Sequence, residues 1–97
     1  MGILDWLKPR PPLYSGGSGE TMEDAVIINA RNTPSGVAAE YRYVSDRYGR
    51  QDADWTPELQ ALQKPEDGRV YDMLRVRLKN GEVKEFYFDI SSFYGRF

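Results

Sequence analysis

Asp72 and Asp89 lie in neighbouring apolar stretches near the carboxyl end of the chain. Paired carboxylates can perform acid/base chemistry when their surroundings drive their pKa values apart. The hairpin register derived below turns these two to opposite faces, so no dyad is expected. Asp72 is expected at the sheet end, capping a backbone amide or meeting an arginine, and Asp89 is expected to accept from Tyr71 opposite. Asp52 and Asp54 with Glu66 and Asp67 would gather a calcium ion only if their two loops met, and their spacing is not that of an EF-hand. Solvated loop acids are the favoured reading. Ser15-Gly16-Gly17-Ser18-Gly19 lacks the lysine and the strand-to-helix setting of a phosphate-binding loop and reads as a flexible linker.

Arg75, Arg77, Lys79 and Lys84 crowd one hairpin beside Tyr71 and Tyr87, a composition that can contact RNA by stacking and phosphate pairing. Glu85 offsets Arg75 and Lys84 points the other way, so a solvated sheet face is favoured. The aromatic ending Phe93-Tyr94-Gly95-Arg96-Phe97 packs into the core or, failing that, offers the contact surface to which aromatics and arginine are suited. At the other end Ile3, Leu4, Trp6 and Leu7 form an apolar cluster that must pack on the domain or on a partner. Trp6, Leu7, Tyr87, Phe93, Tyr94, Arg96 and Phe97 are therefore the candidate interaction residues. Lys8-Pro9-Arg10-Pro11-Pro12 reads as a stiff tether before it reads as a polyproline ligand.

Composition narrows the chemistry. The 97 residues contain no Cys and no His, which removes thiolate ligands, thiol nucleophiles and the commonest base near neutral pH. Carboxylates, Lys, Tyr and Ser remain, an enzyme is disfavoured, and no cofactor or metal is expected. A net charge of −2 gives no long-range attraction to nucleic acid or anionic lipid. No apolar run reaches the roughly 20 residues of a membrane span, and the amino terminus lacks a signal-peptide core, so a cytoplasmic location is the expectation. A 40% hydrophobic share suffices for one core.

Residues 1–20 read as a flexible Pro/Gly-rich tail and residues 21–97 as a single domain. The β-branched run Ala25-Val26-Ile27-Ile28 predicts a strand over 25–30. Asn32-Thr33-Pro34 predicts a capped helix over 34–48 that ends at Gly49. Val37, Tyr41, Val44 and Tyr48 would form its core stripe, with Glu40 outside it and Arg42 paired to Asp46 one turn on. Residues 56–62 carry both a helix-start signal and strand alternation. The turn sequence Lys64-Pro65-Glu66-Asp67-Gly68, which leads into another strand, favours strand.

Asn80-Gly81 predicts a hairpin between residues 70–78 and 82–90. A two-residue loop separates no core face. A three-residue loop with Gly81 left-handed sets Leu78 opposite Glu82, Val76 opposite Lys84 and Leu74 opposite Phe86, and gathers Leu74, Val76, Leu78, Phe86, Phe88 and Ile90 on one side. The expected fold is α+β and two-layered, one main helix on a mostly antiparallel sheet, in the order strand-helix-strand-strand-strand.

The segments Gly19 to Asn29, Gly36-Val37-Ala38-Ala39-Glu40-Tyr41, Asp54-Trp55 and Tyr71-Asp72, followed by the ending Phe86-Tyr87-Phe88-Asp89-Ile90-Ser91-Ser92-Phe93, resemble a group of small bacterial proteins of uncharacterised function. The resemblance covers residues 19–95 and implies a compact bacterial domain, with no activity or site to carry over. The leading functional expectation is a non-enzymatic protein-interaction module acting through a protein partner or self-association. The alternative is a small-ligand or carboxylate-dependent enzyme site between helix and sheet, and RNA binding comes third.

Overall fold

The computed structural model describes residues 12–97. Strands β1 (Tyr14–Gly16) and β2 (Val26–Ile28) precede helix α1 (Thr33–Tyr48), and β3 (Trp55–Gln63), β4 (Tyr71–Leu78) and β5 (Val83–Asp89) follow it. They form one sheet in the order β1-β2-β5-β4-β3, antiparallel throughout except where β2 runs parallel to β5. One helix on one face of this sheet makes the two-layer α+β fold that the sequence predicts.

The hairpin has the derived register. Leu74 lies opposite Phe86, Arg75 opposite Glu85 and Val76 opposite Lys84. The Leu78 amide donates to the Glu82 carbonyl at 2.7 Å, and Gly81 turns the loop at φ 91°. Residues 55–63 are strand, paired antiparallel with β4. The register shift between Pro57 and Leu59 fits an edge position, where a residue without an N–H is tolerated.

Three expectations are corrected. The tail does not extend to residue 20, because Tyr14 to Gly16 pair with β2 and the Gly/Ser run is an ordered turn. The Gly17 amide donates to the Ala25 carbonyl, the Ser18 hydroxyl donates to Asp24 at 2.7 Å, and the Gly19 carbonyl accepts from the Tyr87 amide. A Cβ on Gly17 would lie 2.1 Å from the Asp24 carboxylate, so glycine there serves close approach. The candidate residues Trp6 and Leu7, and all but Pro12 of the motif over 8–12, lie outside the described residues.

The strand expected over 25–30 covers only Val26–Ile28. Just beyond the strand, the Asn29 backbone amide donates to the Leu13 carbonyl and its side-chain amide to the Pro12 carbonyl, and the chain then turns into the helix cap.

The buried face of α1 is displaced by about one residue, near 100° of rotation. Gly36, Ala39, Glu40, Tyr43 and Val44 are buried, while Val37, Tyr41 and Tyr48 are half-buried. Two packing contacts set this. Tyr43 inserts edge-on against Phe86 and Phe88, with ring centroids 5.8 and 5.6 Å away. Gly36 lets the helix approach Phe93, whose ring a Cβ would meet at 2.3 Å. Asn32 caps the helix by accepting from the Ser35 amide at 3.0 Å, and Arg42 pairs with Asp46 at 2.9 Å as predicted.

Val26, Ile28, Trp55, Leu74, Val76, Phe86 and Phe88 fill the core beneath the helix. No helix among the described residues is long and apolar enough to cross a membrane.

Candidate functional site

After β5 the chain folds back over the start of α1. The Phe93 and Tyr94 amides both donate to the Ile90 carbonyl, and the Thr33 amide and hydroxyl donate to the Arg96 carbonyl at 2.7 and 2.9 Å. This ending, the first half of α1 and the far ends of β3 and β4 line a half-open cavity of about 340 Å³. Val37, Leu62, Ile90, Phe93, Tyr94 and Phe97 supply its apolar lining, and Thr33, Glu40, Gln60 and Asp72 supply its polar groups. The volume lies within the range of small-molecule sites.

Each polar residue is placed by its element. Glu40 follows Gly36 by one turn and shares its inward face. Asp72 alternates in phase with Leu74 and Val76 on the helix-facing side of β4, opposite Leu62 on β3 and Phe88 on β5. Gln60 lies on the same side of β3, opposite Leu74, and its amide donates to Asp72 Oδ2.

Glu40 is 0% exposed and Asp72 6%. Burial pushes the Glu40 carboxyl up to about 10, and contact with Asp72 and its charge push the same way. Asp72 is close enough to act on Glu40, yet neither Glu40 oxygen has a partner at full hydrogen-bonding geometry. An unpaired buried carboxyl costs stability even when protonated. The cavity lining thus sets a neutral, fully buried carboxyl against a second carboxyl held by an amide.

The expected sites fare differently. Asp72 and Asp89 do point to opposite faces, but Asp72 meets Glu40 and Gln60, neither an arginine nor a backbone amide. Its alternation with Leu74 carries it inward. Asp89 accepts from Arg69 Nη1 at 2.8 Å and from the Ser91 amide at 3.0 Å, while the Tyr71 hydroxyl turns to Asp67. Burial of Asp89 works to raise its pKa, and the bonds from Ser91 and Arg69 outweigh it, leaving the carboxyl below its ordinary range.

The loop acids do not converge. Asp52 and Asp54 precede β3 and Glu66 and Asp67 follow it, which separates them by roughly 25 Å of strand. Among the described residues no group of three His, Cys, Asp or Glu side chains could hold a metal ion. Three of the four basic residues of the hairpin are met by acids: Arg75 pairs with Glu85, Arg77 with Glu58 and Lys84 with Glu82.

Of the interaction candidates, Phe93 is a core residue, the first of the two readings of the aromatic ending, and so offers no contact surface; it inserts against Gly36. Tyr94 and Phe97 sit at the cavity, Phe97 97% exposed. Arg96 contributes its carbonyl to the helix start, and Tyr87 is half-buried on the opposite sheet face beside Met73.

The sequence reading missed Glu40 and Gln60. The signal for Glu40 was its place one turn after Gly36, since an interior helix glycine marks the side where another group approaches closely. No family model, curated protein or solved structure matches the chain.

Proposed function

We propose that this protein is a binding module for a small molecule, seated in the cavity between α1 and the β3–β4 end of the sheet. The observation that carries the reading is Glu40, a fully buried carboxyl whose oxygens make no hydrogen bond of full geometry and which meets a second carboxyl, Asp72, in the lining of a 340 Å³ cavity. A polar group held at such cost inside an apolar-walled space is what a ligand's polar group would satisfy. The test is a fragment titration followed by amide chemical shifts. Neutral fragments such as benzyl alcohol are expected to move Gln60, Leu62 and Tyr94 together. Val37→Trp, which fills the space, is expected to abolish those shifts. Shifts scattered over the surface, or unaltered in the filled variant, would overturn the proposal.

A second reading is a protein-interaction role through self-association, favoured by the β3 edge. Beyond its first residue that strand pairs only with β4 among the described residues, residues 59–63 carry no charge, and Leu59 and Leu62 are 44% and 51% exposed. Sheet edges usually carry lysine or other charges that discourage pairing. Light scattering of the wild type against Leu59→Lys tests it. A dimer that the lysine dissociates supports the reading, and a monomer at all concentrations removes it.

A further inference from the structure

The lining of the cavity selects its ligand by charge. Its ionisable groups are two carboxyls from facing elements, Glu40 on α1 and Asp72 on β4, and neither Lys nor Arg lines it. Gln60 serves one Asp72 oxygen, and both Glu40 oxygens stand without a donor. Among the lining side chains only Gln60 carries N–H groups. Around it, Val37, Leu62 and Phe93 offer hydrocarbon surface, and the Tyr94 ring already receives a cation on one side, with Lys64 Nζ 4.6 Å from its centroid. An anion entering this space would meet carboxyls and no compensating charge.

We propose that the cavity binds a primary amine carried on a short apolar body. The inference rests on the binding-module reading above and adds the chemical class. An ammonium brings three donors to a lining whose two carboxyls hold four acceptor oxygens, one of them served by the Gln60 amide. Bonds between an ammonium and a carboxylate are about twice as strong as neutral ones. The apolar body takes up the space between Val37, Leu62 and Phe93. The apolar walls favour an organic ammonium over a metal ion, which seeks six or more oxygen ligands.

Calorimetry and amide shifts with three probes of one shape, benzylammonium, benzyl alcohol and benzoate, separate the possibilities. Benzylammonium is expected to bind roughly tenfold tighter than benzyl alcohol, and benzoate is expected not to bind. Asp72→Asn, checked by circular dichroism, is expected to bring the amine and the alcohol within about threefold of each other. Glu40→Gln serves as the second variant and is expected to weaken the amine more than the alcohol. Equal binding of amine and alcohol to the wild type would overturn the amine while leaving the binding module standing. Binding of none of the three would remove both. Displacement of benzylammonium by calcium alone, with the same shifts, would overturn the amine in favour of a metal ion.

Discussion

Glu40 in the middle of α1 and Asp72 in the second position of β4 face the same cavity from opposite layers of the fold, and the Gln60 amide holds only the second of them. The asymmetry between the two carboxyls has measurable consequences.

The first concerns pH. The Glu40 carboxyl rises from its ordinary 4.5 to about 10 in the folded protein. The folded state therefore holds a proton that the unfolded state releases. This contribution to stability is fully present below pH 4.5 and is lost as pH rises toward 10, with a limiting slope of about 1.4 kcal/mol per pH unit. Glu40→Gln removes the titrating group. Urea unfolding at pH 5, 7 and 9 should show the wild type losing stability relative to this variant at each step. A difference that stays constant across the range would contradict the assignment.

Gly36 is the second test. Alanine there gains about 1 kcal/mol of helix propensity, but its Cβ would meet the Phe93 ring at 2.3 to 2.5 Å. Overpacking of this kind costs about 1 to 3 kcal/mol, so Gly36→Ala should be destabilising on balance. Combining it with Phe93→Leu should recover part of the loss, because the two residues share one contact. Denaturant midpoints of the four proteins in this cycle decide the matter, and additive losses would argue against the contact.

The helix cap gives a third. Asn32 Oδ1 accepts the Ser35 amide at 3.0 Å beside the cavity wall. Asn32→Ala should cost about 1 kcal/mol, and hydrogen exchange at Ser35 and Gly36 should quicken first. Unchanged exchange at the start of α1 would rule out this role for the cap.

The sequence was legible where local rules and burial agree. Asn80-Gly81 and the alternation on either side fixed the hairpin register, and Asn32-Pro34 fixed the helix start. It was misleading where tertiary contacts outweigh local pattern. The apolar stripe of Val37, Tyr41, Val44 and Tyr48 is regular, yet Tyr43 fits between Phe86 and Phe88, and Gly36 admits Phe93, which turns the helix toward Glu40. Glycine and serine at 15–19 have the composition of a linker, but Asp24, Tyr43 and Tyr87 supply hydrogen bonds that order them. Asp72 was singled out for chemistry with Asp89 as the partner considered. Its true neighbour lies 32 residues earlier on the helix, a pairing that no local spacing encodes.

The most direct test of the cavity as a binding site is to replace Glu40 by leucine and measure thermal unfolding and benzylammonium binding on the same protein. Removing a buried, unpartnered carboxyl should stabilise the fold by about 1 to 3 kcal/mol, seen as a higher Tm, while binding at the cavity is lost. A lower Tm together with unchanged binding would mean that Glu40 belongs to the core and that the ligand site lies elsewhere.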